Sequence, residues 1–404
     1  MTDQTVTPIL PATDGLVRPG NHSGRSDALL PAPQVQNHAA NLAVLPDGSL
    51  GCVWFAGTQE GVPDISVWFS TLAPRSEQWS TPVQLSDDPT RSEQNPVLHV
   101  VDEQTVWLMW TSQHAGNQDT ARVLRRISED GGRTWGSTHT LIPETEAGGV
   151  FVRQPVTVLP SGRLLLPVVH CVRLPGRKWV GDRDYSGVMI SDDGRTWREV
   201  VVPDSTGCVH MNIGRLGDGT LVALYRSRWA DRIYRSVSTD DGETWSAPAP
   251  TELPNNNSSI QFVVLADDRL ALVFNNSSAL DATERRTSLY DEIDDDGLAD
   301  SVAESTEPID DGDTRSAFWG APRAPMTLAI SQDGGLTWPT VRDLETGDGY
   351  CLTNNSRDGL NREYSYPSIT ATADEALHVA FTRFRQAIEY VRVEPTWVDS
   401  DPES

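Results

Sequence analysis

The chain has 404 residues, 57 acidic against 32 basic, a net charge of −25, and is 38% hydrophobic and 22% charged. That composition describes a globular protein long enough to bury a large core, and its charge repels nucleic acid and anionic membranes. No apolar run reaches the roughly 18–20 residues that a membrane-spanning helix needs, so neither partner is expected.

The opening "MTDQTVTPILPATDGLVRPG" has no basic segment followed by an apolar one, which predicts no secretory signal and a cytoplasmic location. Residues 1–30 read as an irregular arm over the surface. From residue 31 to 395 the chain repeats one pattern, a β-rich run, a short turn and a second β-rich run, as in "NHAANLAVLPDGSLGCVWF" and "HMNIGRLGDGTLVALYR". Such couplets are antiparallel hairpins. Their turns fall at Asp47, Asp102, Ser161, Asp218, Asp267 and Asp374. Successive turns lie 49 to 59 residues apart except the last, where the step is 107. An acidic stretch at about 280–322, without apolar periodicity, accounts for the excess and reads as an inserted loop. Residues 396–404 read as a disordered acidic tail.

A second motif threads through these repeats. "SEDGGRTW" at 128–135 returns as "SDDGRTW" at 191–197, "STDDGETW" at 238–245 and "SQDGGLTW" at 331–338. Asp and Gly make a tight turn, the carboxylate accepts hydrogen bonds within it, and Trp packs beneath, so the motif is a structural staple. Six hairpin repeats of this length predict an all-β fold, a six-bladed β-propeller of four-stranded sheets with Asp-box turns, in a single domain. A β-helix is excluded by the long period.

In a propeller the first strand of every blade lines the central axis. The hairpin openings should therefore converge on one funnel: His38; Gln94 and Asn95; Arg153 and Gln154; His210 and Asn212; Asn257 and Gln261; Tyr364 and Tyr366. All offer hydrogen-bonding or titratable groups, which suits a polar ligand. Arg226, Arg228, Arg323 and Arg362 add guanidinium groups whose planar fork matches a carboxylate.

The S-x-D-x-G-x-T-W motif resembles the Asp-box of sialidases, and the chain is similar to the BNR-repeat, predicted-neuraminidase group over residues 35–393. The resemblance implies a glycosidase that removes a terminal acidic sugar, sialic or uronic, from a glycan or glycoside. It assigns the nucleophile to Tyr364 in "REYSYPSI" and the acid/base to Glu60, with Asp64 next, in "WFAGTQEGVPDISVWFS". A phenol approaches an anionic sugar without the repulsion a carboxylate meets. The chain departs from sialidases where their first blade supplies an arginine, because "VQNHAANL" places His38 there instead. That histidine opens a second reading. His38, His210 or Tyr364 could act as base and acid in a lyase that eliminates at an arginine-bound uronate, as in propeller lyases acting on rhamnose-linked glucuronate. A non-catalytic sugar-binding propeller is the third reading.

Cys52, Cys171, Cys208 and Cys351 lie far apart without a C-x-x-C pair, so no zinc site or disulfide framework is expected. "DEIDDDGLADSVAE" lacks the acidic twelfth position of a calcium loop and reads as a solvated run. No metal or cofactor is expected, with a divalent cation left open. The expected partner is an oligosaccharide or glycoside bearing an acidic sugar.

Overall fold

The computed structural model describes residues 12–174, 179–286, 315–351 and 356–399. The strands form six antiparallel sheets. Blade one runs through Gln36–Val44, Leu50–Gly57, Ser66–Leu72 and Val83–Gln84, from the axis outward. Blades two, four and five repeat this order from innermost strands Ser92–Val100, Cys208–Arg215 and Gln261–Val264. In blade three the inner strand is broken into Gly148–Phe151 and Thr157–Val158, both paired with Leu164–Val172. Among the described residues no helix is long and apolar enough to cross a membrane.

Blade six closes the ring. Its inner three strands, Tyr364–Ala371, Leu377–Arg383 and Ala387–Val393, come from the C-terminal end, and Arg25–Leu29 adds the fourth by pairing with Ala387–Val393. The stretch expected as an irregular arm thus contains the strand that fastens the two ends of the propeller. Arg25 explains its register: it bonds Asp27 at 2.7 Å, Glu345 at 2.6 Å and the Leu344 carbonyl, tying blade six to blade five. The expected disordered tail also begins as structure, because Pro395–Asp399 is a short helix with Trp397 buried. Of the insertion, residues 287–314, including the calcium-like run, lie outside the described residues.

The core is distributed over the seams between neighbouring blades. Six apolar clusters occupy them, and each holds or abuts one tryptophan that follows the third strand of a blade: Trp79, Trp135, Trp197, Trp245, Trp338 and Trp397. In the Asp-box turns, Ser128 Oγ donates to Asp130 Oδ1 at 2.8 Å and Thr134 Oγ1 to Oδ2 at 2.6 Å. The Thr134 hydroxyl first, then the Thr134 amide and the Ser128 hydroxyl, hold the Asp130 carboxyl down at about 2, so the turn keeps its charge and shape at any ordinary pH. Four boxes were legible, whereas Trp79 and Trp397, the latter in the short C-terminal helix, occupy the same place without the Ser-Asp-Gly spelling. Trp245→Ala should cost about 3–5 kcal/mol by opening a cavity in the seam between blades three and four. Denaturant unfolding measures that loss.

The inner strands share a further feature that positions the site. Pairing slips between His38 and Asn41, Gln94 and Val97, Val209 and Asn212, and Ser365 and Ser368. At or beside these slips Ala39, Asn95, His210 and Tyr366 adopt φ of 62°, 49°, 52° and 52°, and Asn257 adopts 58° just before its strand. Left-handed backbone at non-glycine residues costs about 1–3 kcal/mol each. Its recurrence around one axis marks the funnel as the strained centre of the fold.

Candidate active site

These bulges decide which tyrosine reaches the funnel. Regular strand alternation would put Tyr364 and Tyr366 on one face. The bulge separates them: Tyr364 packs in the seam between blades five and six, 5.3 Å from the Phe384 ring and 6.1 Å from Phe381, and burial raises its phenol to about 12. Tyr364 therefore does not line the funnel. Tyr366 does, with its ring 4.4 Å from His38 and 5.8 Å from His210.

Arginines surround Tyr366. Arg226 Nη1 donates to Tyr366 Oη at 2.7 Å, and the guanidinium carbons of Arg153, Arg226 and Arg323 lie 5.4, 5.6 and 5.6 Å from its ring centre. Their charges are balanced very differently. Arg323 and Arg385 share Glu363, Arg385 also bonds Glu60, and Arg228 holds Asp184 at 2.6 Å. Arg153 and Arg226 are both 1% exposed and meet no carboxylate among the described residues. Arg153 Nη2 instead donates to the carbonyls of Ala40, Tyr366 and Pro367, each at 3.0 Å, while Nη1 has no partner. Arg226 Nε donates to Asn257 Oδ1 at 2.8 Å. Burial pulls both guanidinium groups down to about 10, so they stay charged at neutral pH.

The two histidines are neutral. Burial, then Arg385, Arg323, Arg153 and Arg226, hold His38 well below its ordinary value, and burial with Arg226, Arg228, Arg153 and Arg323 does the same to His210. His38 Nε2 and His210 Nδ1 are buried without hydrogen-bond partners, as are Gln94 Oε1 and Asn95 Oδ1. Buried polar atoms are nearly always paired, so this concentration of unpaired ones marks the place where a polar ligand would be received. Glu363 is the opposite case. Burial alone would raise it, but Arg385 and Arg323 outweigh burial and lower it.

Several expected ligand-binding residues are occupied by the fold itself. Asn212 Oδ1 accepts the Phe262 amide at 2.6 Å, Gln154 Nε2 donates to the Ile260 carbonyl at 2.6 Å, and Gln261 bridges Gln154 and Ser368. They lace blades three to six together around the axis, Gln154 reaching from blade three to blade five. Asn257 is used at both ends, by Arg226 and by the Phe318 carbonyl. Gln94 Nε2 bonds Ser92 but leaves its oxygen free. Arg362 is held by the exposed Asp348 at 2.6 Å and stacks on Tyr350, outside the cluster at Tyr366. Glu60 is buried as an ion-pair partner of Arg385.

Sequence reasoning missed Glu363, Arg385, Asp184 and Trp319. Trp319 stands on the descending flank of the insertion, anchored by its Nε1 to the Val180 carbonyl, and walls Arg226 and Arg228 at 5.8 and 5.1 Å. Glu363 adjoined the expected nucleophile, and a lone acid between Arg362 and Tyr364 in "NREYSY" was the available signal. Among the described residues no group of three or more His, Cys, Asp or Glu side chains gathers as a metal site.

The fold is that of solved sialidases. The chain superposes on the intramolecular trans-sialidase of Ruminococcus gnavus with a TM-score of 0.64 at 14% identity, covering 91% of this chain and 96% of that one. For the NanB sialidase of Streptococcus pneumoniae the values are 0.65, 13%, 98% and 73%. A Dyadobacter fermentans protein of unknown function gives 0.62, 16%, 92% and 100%. No curated protein matches the sequence. Residues 48–379 match the family described as BNR repeat-like domain, and with six blades, Asp-box turns and this match over most of its length, the chain belongs to the BNR repeat-like domain family.

Proposed function

We propose that the protein is a carbohydrate-active enzyme that binds the anionic group of a sugar at Arg226 and Arg153 and acts on the adjacent glycosidic bond. One observation carries this reading: two fully buried guanidinium groups without a carboxylate partner meet at Tyr366. An uncompensated buried charge costs several kcal/mol, and an anionic ligand offsets it. Related folds host such ligands, since the leech trans-sialidase is known with 2,7-anhydro-Neu5Ac and the Ruminococcus gnavus enzyme with oseltamivir carboxylate.

In the sialidase-like reading Tyr366 Oη attacks the anomeric carbon. Arg226 at 2.7 Å stabilises charge developing on that oxygen, and the aglycone oxygen leaves. Elimination at a uronate is the second reading, and the observation favouring it is the pair of neutral histidines with unpaired nitrogens beside Tyr366. There the arginines neutralise the carboxylate, a histidine takes the neighbouring C–H proton, and Tyr366 protonates the departing oxygen. Incubation with sialosides and with rhamnosyl-uronides separates the two. Free acidic sugar without ultraviolet absorbance marks the glycosidase, and an unsaturated, absorbing product marks the lyase. Inertness toward both classes would overturn the enzyme reading in favour of sugar binding alone.

A further inference from the structure

The His38 ring centre lies 4.4 Å from that of Tyr366, and its two nitrogens stand in opposite surroundings. Nδ1 lies 2.8 Å from Thr382 Oγ1 and 3.9 Å from Glu363 Oε1. With a neutral ring the latter is a polar contact rather than an ion pair. Nε2 is buried and has no partner. Thr382 Oγ1 also accepts the Ala39 amide at 3.1 Å, next to the left-handed bulge that turns His38 inward. Glu363 is itself fixed by Ser365 Oγ at 2.7 Å, Arg385 Nε at 2.9 Å and Arg323 Nη1 at 3.3 Å.

A neutral imidazole carries one proton, and the hydrogen bond at one nitrogen decides what the other does. A proton on Nδ1 points its positive end at Thr382 Oγ1 and at the Glu363 carboxylate. A proton on Nε2 would leave a bare Nδ1 lone pair facing that carboxylate and waste the interaction. We propose that Thr382 and Glu363 are positioning residues that hold His38 as its Nδ1–H tautomer, so that Nε2 presents a lone pair beside Tyr366 and receives its phenolic proton when Tyr366 Oη attacks the sugar.

The O–H bond of Tyr366 breaks as its oxygen bonds the anomeric carbon, the proton moves to Nε2, and the aglycone oxygen departs with the electron pair of the glycosidic bond. The imidazolium so formed faces Glu363 on one side and Arg385, Arg323, Arg153 and Arg226 around it. The arginines keep the resting ring unprotonated, and Glu363 offsets part of its charge once the proton arrives. This inference rests on the tyrosine-nucleophile reading above, but its geometric half can be measured without turnover.

Nitrogen-15 chemical shifts of the histidine rings, with the His38 signal assigned by its loss in His38→Gln, report the tautomer at neutral pH. The expected result is Nδ1–H in the wild-type protein and a shift toward Nε2–H in Thr382→Val, with Thr382→Ser restoring the wild-type spectrum. Nε2–H in the wild type would overturn the inference even if the enzyme hydrolyses sialosides. On an active substrate Thr382→Val should lower kcat about 10–100-fold with KM within about twofold, and Thr382→Ser should recover most of it. Glu363→Gln should lower kcat and move its acid-side loss to lower pH relative to wild type, because the carboxylate that favours the protonated ring is gone. An unchanged kcat in Thr382→Val would overturn the proton-acceptor role while leaving the anion-binding reading intact.

Discussion

Tyr366→Phe is expected to lower kcat by at least about 1000-fold, whereas Tyr364→Phe should stay within about threefold of wild type. The two residues are separated by one serine, yet the bulge between Ser365 and Ser368 sends one into the arginine cluster and the other into an apolar seam. Loss of the Tyr366 hydroxyl removes the group that Arg226 contacts at 2.7 Å. Loss of the Tyr364 hydroxyl removes a phenol already pushed to about 12 by burial, which is neither nucleophile nor acid at neutral pH. Steady-state kinetics with the melting temperature of each variant make the comparison. The reverse order of effects would show that the funnel has been misplaced.

The second large effect is a difference in sign between neighbouring arginines. Arg228→Met strips Asp184 of its ion pair, and a buried carboxylate left alone costs about 3–5 kcal/mol. Trp179 Nε1 at 2.9 Å and the Val172 amide at 3.2 Å remain as donors but carry no full charge. Arg226→Met removes a buried cation that has no carboxylate partner. It leaves Asn257 Oδ1 and Tyr366 Oη short of a donor, a cost of about 1–3 kcal/mol, against relief of a desolvation penalty of several kcal/mol. The free protein should therefore be as stable as wild type or more so. Affinity for an acidic sugar should fall by about 100-fold or more, the scale of a lost charge-assisted bidentate contact. Denaturant unfolding tests the stability pair and calorimetry tests the affinity.

Much of the fold could be read from the sequence because two independent periodicities agree. Hairpin couplets recur at propeller spacing, and the Asp-box string spells its own turn chemistry. Ring closure could not be read, since Arg25–Leu29 pairs with residues more than 350 positions away and carries no hairpin partner in sequence. Of the site, the funnel openings were legible as polar residues where a structural propeller needs none. Which of Tyr364 and Tyr366 faces the funnel was not legible, because a left-handed φ at Tyr366 is a tertiary feature with no local spelling, tyrosine being a poor residue for that backbone. Asn212, Gln154 and Gln261 looked like ligand groups from type and position alone. In the folded chain they pair with backbone and side chains of other blades. The division of the arginines into compensated and uncompensated sets depends on Glu60, Glu363 and Asp184, which converge from three blades.

The central claim is that the funnel selects a sugar by its anionic group at Arg226 beside Tyr366. The most direct measurement is calorimetric binding, to inactive Tyr366→Phe protein, of matched pairs: an acidic glycoside of the sialoside or uronide class and its methyl ester. The account predicts measurable binding of the acid, binding of the ester at least about 100-fold weaker, and loss of that preference when Arg226→Met is added. Equal binding of acid and ester, or a preference that survives Arg226→Met, would contradict it.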